Sequence, residues 1–461
     1  MSTSHTKAAK TFLADREYAD WHDNTFWSVR QKRDMMADGV PEWEQLRQKA
    51  SQIKMHTLTH LDTYLQQFAD NAEKNGAIVH WAEDADEFNR IVLDILRDHN
   101  VRKLVKSKSM LTEECEMNPY LEQNGIEIVE TDLGERIIQL KKQRPSHIVM
   151  PAIHLNHHDV GELFEAELNS EKGNHDPTYL TYQARLSLRN HFLEADAGLT
   201  GANFGVAATG DIVVCTNEGN ADMATSCPPL HIAAIGIEKI IPDYASLAVF
   251  QRLLARSATG QPTTTYTSHF RKNRPGADKM HIILVDNGRS SWLADPDHWT
   301  ALKCIRCGSC MNTCPVYRNS GGYSYSYFIP GPLGVNLGML RDPQKYSGNV
   351  SACTLCLSCQ SACPVKVDLG DQIYKWRQKL DEFGTANKQK KMICKGMKLA
   401  LENTPLYNAG TSMLHLLNGM PDSLVNCKVN PWAYGHKTMK FPRKPFHKLF
   451  DKLEKESGNK A

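Results

Sequence analysis

Two stretches of this sequence carry residue types that do chemistry. "CIRCGSCMNTCPVYR", Cys304 to Arg318, spaces four cysteines as C-x2-C-x2-C-x3-C and closes them with Pro315. Thirty-nine positions after Cys314 the same spacing returns in "CTLCLSCQSACPVKV", Cys353 to Val367, closed by Pro364. Thiolates are soft ligands, and this spacing winds a short loop round a [4Fe–4S] cube. Two-residue gaps let three cysteines converge on one cube, whereas the three-residue gap carries the fourth away. In two-cluster ferredoxins that fourth cysteine ligates the neighbouring cluster. The spacing therefore predicts Cys304, Cys307, Cys310 and Cys363 on one cluster, and Cys353, Cys356, Cys359 and Cys314 on the other. Paired zinc sites are the competing chemistry, but a zinc ribbon parts two C-x2-C pairs with a long spacer. Here four cysteines sit together, twice.

The rest of the chain bounds what these motifs can belong to. At 461 residues it is too long for one ordinary core. Hydrophobic residues at 41% and charged residues at 23% are a globular composition, and a net charge of +2 gives no reason to expect nucleic-acid binding. The start, "MSTSHTKAAKTFLADREYADW", has no apolar segment of the kind a secretory signal needs. No apolar run approaches the ~20 residues of a membrane span. These features predict a cytoplasmic protein without a span, in which thiols stay reduced. The five cysteines outside the motifs, Cys115, Cys215, Cys227, Cys394 and Cys427, then read as small buried hydrophobes.

Elements must position the motifs. From Pro41 to Gly76, apolar residues at three- and four-residue steps predict a long amphipathic helix. Helical and strand patterns then alternate. "ADEFNRIVLDILRDHN", "TEECEMNPYLEQNG", "ERIIQLKKQ" and "DYASLAVFQRLLARSATG" read as helices. "VRKLVKS", "IEIVETD", "SHIVMPA", "DIVVCTN", "HIAAIGIEKII" and "HIILVDNG" read as strands. Such alternation predicts a mainly parallel α/β sheet with helices on both faces. "NGRSSWLADPDHW" reads as a polar linker into the cysteine region. Past Cys363 the chain turns basic and helical, with Lys375, Arg377, Lys379, Lys388, Lys390 and Lys391 offering a face for an acidic partner or for solvent, and the end is Pro-broken. The expected division is 1–76 helical, 77–290 α/β, 298–380 ferredoxin-like and 381–461 a basic helical extension.

Within the α/β region the nucleotide fingerprints fail. "TGANFGVAATGD" is not G-x-G-x-x-G and precedes a strand, and no G-x4-G-K-[ST] occurs. Three polar segments remain. "VKSKSMLTEE" sets Lys106, Ser107, Lys108 and Ser109 between a strand and a helix, as an anion site or a plain helix cap. "CTNEGNAD" holds Asn217 and Glu218 beyond a strand, as ligand groups or a tight turn. "HLNHHD" offers His154, His157, His158 and Asp159 as metal ligands or as surface residues at a loop–helix junction.

The spacer between the cysteine motifs is long, and in this it resembles the α-helical ferredoxin module of respiratory oxidoreductase subunits. "KSKSMLTEE", "ETDLGERIIQL", "PSHIVMPAIH", "TNEGN", "HIAAIGIEK", the doubled cysteine motif and a late "NPW" together resemble the lactate-utilisation protein B family. The resemblance runs from about residue 20 to residue 450. It implies an α/β domain (LUD-type) similar to the sugar-isomerase and CoA-transferase fold, followed by a module with two [4Fe–4S] clusters on the eight motif cysteines. It implies a cytoplasmic iron–sulfur subunit of a three-protein system that oxidises L-lactate to pyruvate. The implied partners are a second LUD-type protein and an iron–sulfur protein with CCG-type domains. Three readings stand at this point: an electron-transfer subunit, a catalytic subunit with Glu218 and Lys106 lining a carboxylate pocket, and an iron–sulfur redox-sensing module.

Overall fold

The computed structural model describes residues 5–385, 388–419 and 440–458, in two compact units, Met1–Leu380 and Asp381–Ala461. Among the described residues of the first, ten strands occur: β1 Ile78–Ala82, β2 Lys103–Ser107, β3 Glu127–Glu130, β4 Ala197–Gly201, β5 Phe204–Val206, β6 Asp211–Thr216, β7 Leu230–Gly236, β8 Ile240–Ile241, β9 Tyr266–Phe270 and β10 Lys279–Val285. Six of them form an all-parallel sheet ordered β1-β10-β7-β4-β2-β3. The other four form a mixed sheet ordered β8-β5-β6-β9.

The parallel sheet is covered on both faces, as its apolar strands require. Adjacent residues of β2 show the alternation. Leu104 packs with Leu199, Ile232 and Ile283 under Phe88, Val92 and Leu96 of the helix Ala85–Asp98. Val105 joins Val129, Leu188 and Phe192 on the opposite side. Each such buried side chain stabilises the fold by about 1.5–3 kcal/mol. Aspartates cap the covering helices: Asp84, Asp132, Asp176 and Asp243 each accept an N–H of the first turn.

Four helices precede the sheet: α1 His5–Phe12, α2 Arg16–Asp38, α3 Trp43–Thr59 and α4 Leu61–Lys74. The single helix expected from Pro41 is therefore two. Thr57 and Thr59 bond back to the carbonyls of Ile53 and Met55, a habit that bends helices, and the chain breaks at His60 (φ −121°, ψ 37°). "TEECEMNPYLEQNG" likewise divides, into Met110–Glu114 and Met117–Gln123, at Glu116 in a left-handed conformation. "SHIVMPA" is not a strand. It closes on itself through Ser146 N–H to Pro151 O, with Ile148 and Pro151 buried and Val149 and Met150 half-buried, and His147 and Val149 lie beside Gly308 of the cysteine region instead of in the sheet. There Ser146 O accepts from Tyr317 Oη (2.7 Å) and His147 Nε2 lies 3.0 Å from Asn312 Oδ1. "DIVVCTN" becomes β6 of the mixed sheet, and "HIAAIGIEKII" supplies both β7 and β8, one to each sheet.

"NGRSSWLADPDHW" is no solvated linker either. Arg289, Trp292 and His298 are all buried in it. The cysteine region continues through short helices, Ser309–Asn312, Pro315–Ser320, Gly331–Arg341, Pro343–Ala352, Ser358–Ala362 and Leu369–Lys379. The expected basic docking face is mostly engaged. Lys375 and Lys379 pair with Asp297 (2.9 and 3.2 Å), and Arg377 donates to the carbonyls of Val350 and Cys353. In the second unit Lys391 pairs with Asp381 at 2.7 Å. That unit is helical over Lys388–Glu402, Thr404–Met413 and Phe446–Gly458. The side chains of Lys388 and Lys390, Cys427 and the "NPW" at 430–432 lie outside the described residues. No helix among the described residues is long and apolar enough to cross a membrane.

Candidate metal centre

Each cysteine loop turns by the same backbone device. Two residues after Cys304, Arg306 adopts a left-handed conformation (φ 59°) and its N–H meets Cys304 Sγ at 3.3 Å. Two residues after Cys353, Leu355 does the same (φ 54°), again at 3.3 Å from Cys353 Sγ. The residue after the second cysteine is left-handed in both, Gly308 (φ 75°) and Leu357 (φ 59°). Glycine accepts that conformation freely, whereas Arg306, Leu355 and Leu357 each bear roughly 1–2 kcal/mol of strain. Such strain persists where the surroundings over-determine it and the turned N–H groups have work to do.

Two reciprocal contacts join the motifs. Ser309, just before Cys310, donates to the carbonyl of Ala362, just before Cys363 (3.3 Å). Ser358, just before Cys359, lies 2.6 Å from the hydroxyl of Thr313, just before Cys314. The thiols fall into two groups accordingly. Burial, then the thiols of Cys363 and Cys304, push the Cys307 thiol up. Burial raises Cys310 further, with Cys304, Cys307, Cys359 and Cys363 adding to it. In the second group burial lifts Cys314 to about 11, opposed by the Tyr317 and Val316 N–H groups and reinforced by Cys353 and Cys356. Cys359 is raised by burial and by Cys314, Cys353 and Cys356. Cys359 adds to the rise at Cys310, so the two groups adjoin.

Thiols raised in this way become thiolates only against a strong cation, which fits iron. The sulfurs are not gathered as closely as a lone tetrahedral ion requires. A tetrahedral zinc with Zn–S of about 2.3 Å would bring four sulfurs within about 4 Å of one another. Among the described residues no three of these thiols lie within 4.8 Å of each other. The residues that do so are Asp295, Asp297 and His298, and Asp297 is already paired with two lysines.

The loops are held from a distance. Arg30 of α2 donates to Thr313 and Ser358, Arg33 to Ala362 O (3.0 Å), and Arg47 of α3 to Ser361 O and Cys363 O (2.7 and 2.9 Å). Lys303 reaches Lys366 O (2.8 Å) and Lys239 reaches Cys304 O (3.4 Å). Behind Lys239 lies a buried ionic network. Arg289 donates to Glu114 (2.8 and 3.0 Å) and Glu238 (2.5 Å), and Arg306 stands 3.7 Å from Glu238. Burial alone would raise the Glu238 carboxyl, but Arg289, Lys239, Arg306 and Lys54 bring it down to about 2. None of these residues was singled out from the sequence. The available signal was the charged pair Glu238–Lys239 inside the apolar run "HIAAIGIEKII", since charges are buried only when paired.

The α/β candidates separate in space. Lys106 is buried and saturated by Glu130 (2.8 Å), Glu113 (3.1 Å) and Thr112 (3.0 Å), and it does not line the cavity that holds Glu218. The two candidates of the carboxylate-pocket reading, Lys106 and Glu218, therefore do not share this cavity. Ser107, Lys108, Asn217 and Glu218 do line it, a space of about 290 Å³, while Ser109 also caps the helix Met110–Glu114. Glu218 accepts from the Leu133 N–H (3.1 Å), and burial, with Asp132 beside it, lifts its carboxyl from 4.5 to about 7. His154 is no metal ligand, for its ring nitrogens face Ser146 Oγ (2.7 Å) and Gln143 Oε1 (2.9 Å), and burial lowers it to about 4. His157 and His158 are exposed at a helix start, where Asp159 completes a capping box with Asn156. Of the other cysteines Cys115 is buried, but Cys227 and Cys394 are exposed.

A pH effect follows from Glu218. Its folded carboxyl holds a proton between about pH 4.5 and about pH 7 that the unfolded chain has released, so stability falls as pH rises through that window. Glu218→Gln removes this loss. Relative to the parent, the variant should gain on the order of 2 kcal/mol from the bottom of the window to the top, read from thermal unfolding across it. A parallel pair of pH profiles would contradict the assignment.

Comparison with known proteins agrees with this arrangement. The LUD domain family matches residues 65–288, and the 4Fe-4S dicluster domain family matches residues 300–367. A lactate utilization protein B of Shouchella clausii is 41% identical over 382 residues, 81% of this chain and 80% of that protein. One from Macrococcus caseolyticus is 39% identical over 413 residues, 88% and 86% of the two chains. A protein of Escherichia coli K12 named as an uncharacterized electron transport protein is 40% identical over 384 residues, 82% and 80%. With identity near 40% across four-fifths of both partners, and with both domains in order, this chain belongs to the lactate utilisation protein B family.

Proposed function

We propose that the chain is the iron–sulfur electron-transfer subunit of a cytoplasmic system that oxidises L-lactate to pyruvate. It would carry two [4Fe–4S] clusters, one on Cys304, Cys307, Cys310 and Cys363 and the other on Cys353, Cys356, Cys359 and Cys314. The observation that carries this reading is the gathering of thiols from both motifs into two adjoining groups. Clusters that adjoin in a rigid frame suit one-electron steps in series, and their potentials are tuned by N–H groups aimed at sulfur, such as those of Arg306 and Leu355. Lactate enters the proposal through the names of the relatives. The partners would be a second LUD-type protein and a CCG-domain iron–sulfur protein. The α/β part would share the sugar-isomerase and CoA-transferase fold, and the working division would be 1–76, 77–290, 298–380 and 381–461.

Purified without oxygen, the chain should be brown and hold about eight irons, from two four-iron clusters. Mixed with its two partners, its clusters should be reduced on addition of L-lactate. Stoichiometric zinc, or clusters that stay oxidised in the complete mixture, would end the proposal.

A further inference from the structure

The cavity of about 290 Å³ beside the first cysteine group has no part in electron carriage as such. It opens where β2, β4 and β7 end, at Ser107, Gly201 and Gly236, and the carboxyl ends of parallel strands are where such sheets gather ligands. Its far wall includes Arg306 and Cys307, so its contents lie against a cysteine of the first group.

Four cations line the cavity together with the carboxylates of Glu114, Asp132, Glu218 and Glu238, and the cations are not equally committed to them. Arg289 is taken up by Glu114 and Glu238, and Lys239 by the Cys304 carbonyl. Lys108 donates to Val149 O at 2.7 Å and feels the Glu135 and Glu218 carboxyls without a direct ion pair to either among the described residues, which leaves ammonium donors for a ligand. Arg306 Nη2 stands 3.7 Å from Glu238, but its Nη1 is buried without a hydrogen-bond partner. A buried donor left unmatched costs about 1–3 kcal/mol, which an anion in the cavity would offset. Leu254, Ala258 and Ile329 add an apolar wall. A closed cavity of about 150 Å³ holds benzene, with six heavy atoms. The larger space here admits a six-heavy-atom hydroxy acid with ordered water, or a slightly longer homologue.

We propose that this cavity is a binding site for a short 2-hydroxy or 2-oxo monocarboxylate, held by Lys108 and Arg306 against the wall that contains Cys307. The choice of acid rests on the lactate reading above, whereas the anion site rests on the two cations.

The test uses the full chain, purified without oxygen and with its iron counted. L-lactate and pyruvate are titrated by calorimetry and by the electron paramagnetic resonance of the reduced clusters. Propionate, which lacks the 2-oxygen, and sulfate serve as comparisons. The expected result is saturable binding with Kd on the order of 1 mM or tighter, as for enzyme substrates, and an altered cluster signal. Lys108→Met should weaken binding at least tenfold at unchanged iron content. Ala258→Leu, which fills the cavity from its apolar side, should do the same and decides the matter should Lys108→Met lose iron. An iron-replete chain that shows neither heat nor spectral change with either acid overturns the proposal, as does equal binding of propionate and sulfate. Electron carriage is judged separately, by lactate reduction of the clusters in the full mixture. Reduction there without binding here would remove the cavity site alone.

Discussion

Cys314→Ser is expected to cost the chain one cluster and spare the other, and the lost one should be the cluster of Cys353, Cys356 and Cys359. Cys314 lies in the first motif, so a motif-by-motif arrangement would predict damage to the cluster of Cys304, Cys307 and Cys310. The crossed arrangement predicts the reverse, because Cys314 groups with Cys353, Cys356 and Cys359. Serine is the informative replacement, since Cys314 also caps the helix Pro315–Ser320 by accepting from the Tyr317 N–H. A hydroxyl preserves that cap, which alanine would lose at about 1 kcal/mol. Iron should fall from about eight to between about four and seven per chain, depending on whether a three-iron remnant persists. Cys363→Ser is the mirror experiment, and the resonance signals of the two variants should together account for those of the parent. If Cys314→Ser and Cys363→Ser lose the signals in the opposite sense, the crossed ligation is wrong.

The second large effect should come from a residue that touches no thiol. Arg289 is 2% exposed and is the principal counter-charge for Glu114 and Glu238, both of which are buried at the α/β side of the cluster region. Arg289→Met keeps most of the volume and strands both carboxylates in the interior. Removing one partner of a buried ionic group costs about 3–5 kcal/mol, a large share of the stability of any domain. Arg289→Lys should rescue little, because a single ammonium cannot replace a guanidinium that donates to two carboxylates at once. The sign of the pH dependence is also set. Glu238 is depressed to about 2 in the parent, so its contribution to stability is complete above 4.5 and is lost as pH falls toward 2. Without Arg289 that carboxyl takes up a proton far more readily, so the variant's deficit should shrink as pH is lowered from neutrality. Thermal unfolding of parent and variant at several pH values measures this. A deficit under about 1 kcal/mol would mean that the network is not held as described.

The dicluster motif was readable because it is local: three of its four cysteines fall within seven residues, and the fourth is set off by a one-residue change of spacing. Strands β2, β3, β7 and β10 were readable because parallel strands buried on both faces are runs of branched apolar residues. β4 was not, although it is central. Its sequence, AGLTG, is small because a Cβ at Gly198 would run into the carbonyl of Ala224, so close packing has erased the pattern that marks a strand. "SHIVMPA" failed in the other direction, since an apolar run signals burial and not the surface against which it is buried. Lys106 and Lys108 were indistinguishable as neighbours in a polar turn. Only the fold decides that one is saturated by Glu130 and Glu113 while the other lines the cavity. Arg30, Arg33 and Arg47 were invisible for a simpler reason. Their partners are carbonyls and hydroxyls some three hundred positions away, and a backbone carbonyl leaves no mark in a sequence.

Those three arginines also set a timetable. Arg30 is separated from Thr313 by 283 positions, and Arg47 from Cys363 by 316. At about 5–20 residues per second, a ribosome releases the clasp some 15–60 s before it makes what the clasp holds. The cysteine loops therefore cannot close until the stretch through Cys363 has been made, 316 positions after Arg47, by which time the helices that clasp them are already present. The order of synthesis thus delivers the holder before the held: loops that depend on α2 and α3 for their shape emerge onto helices made well ahead of them.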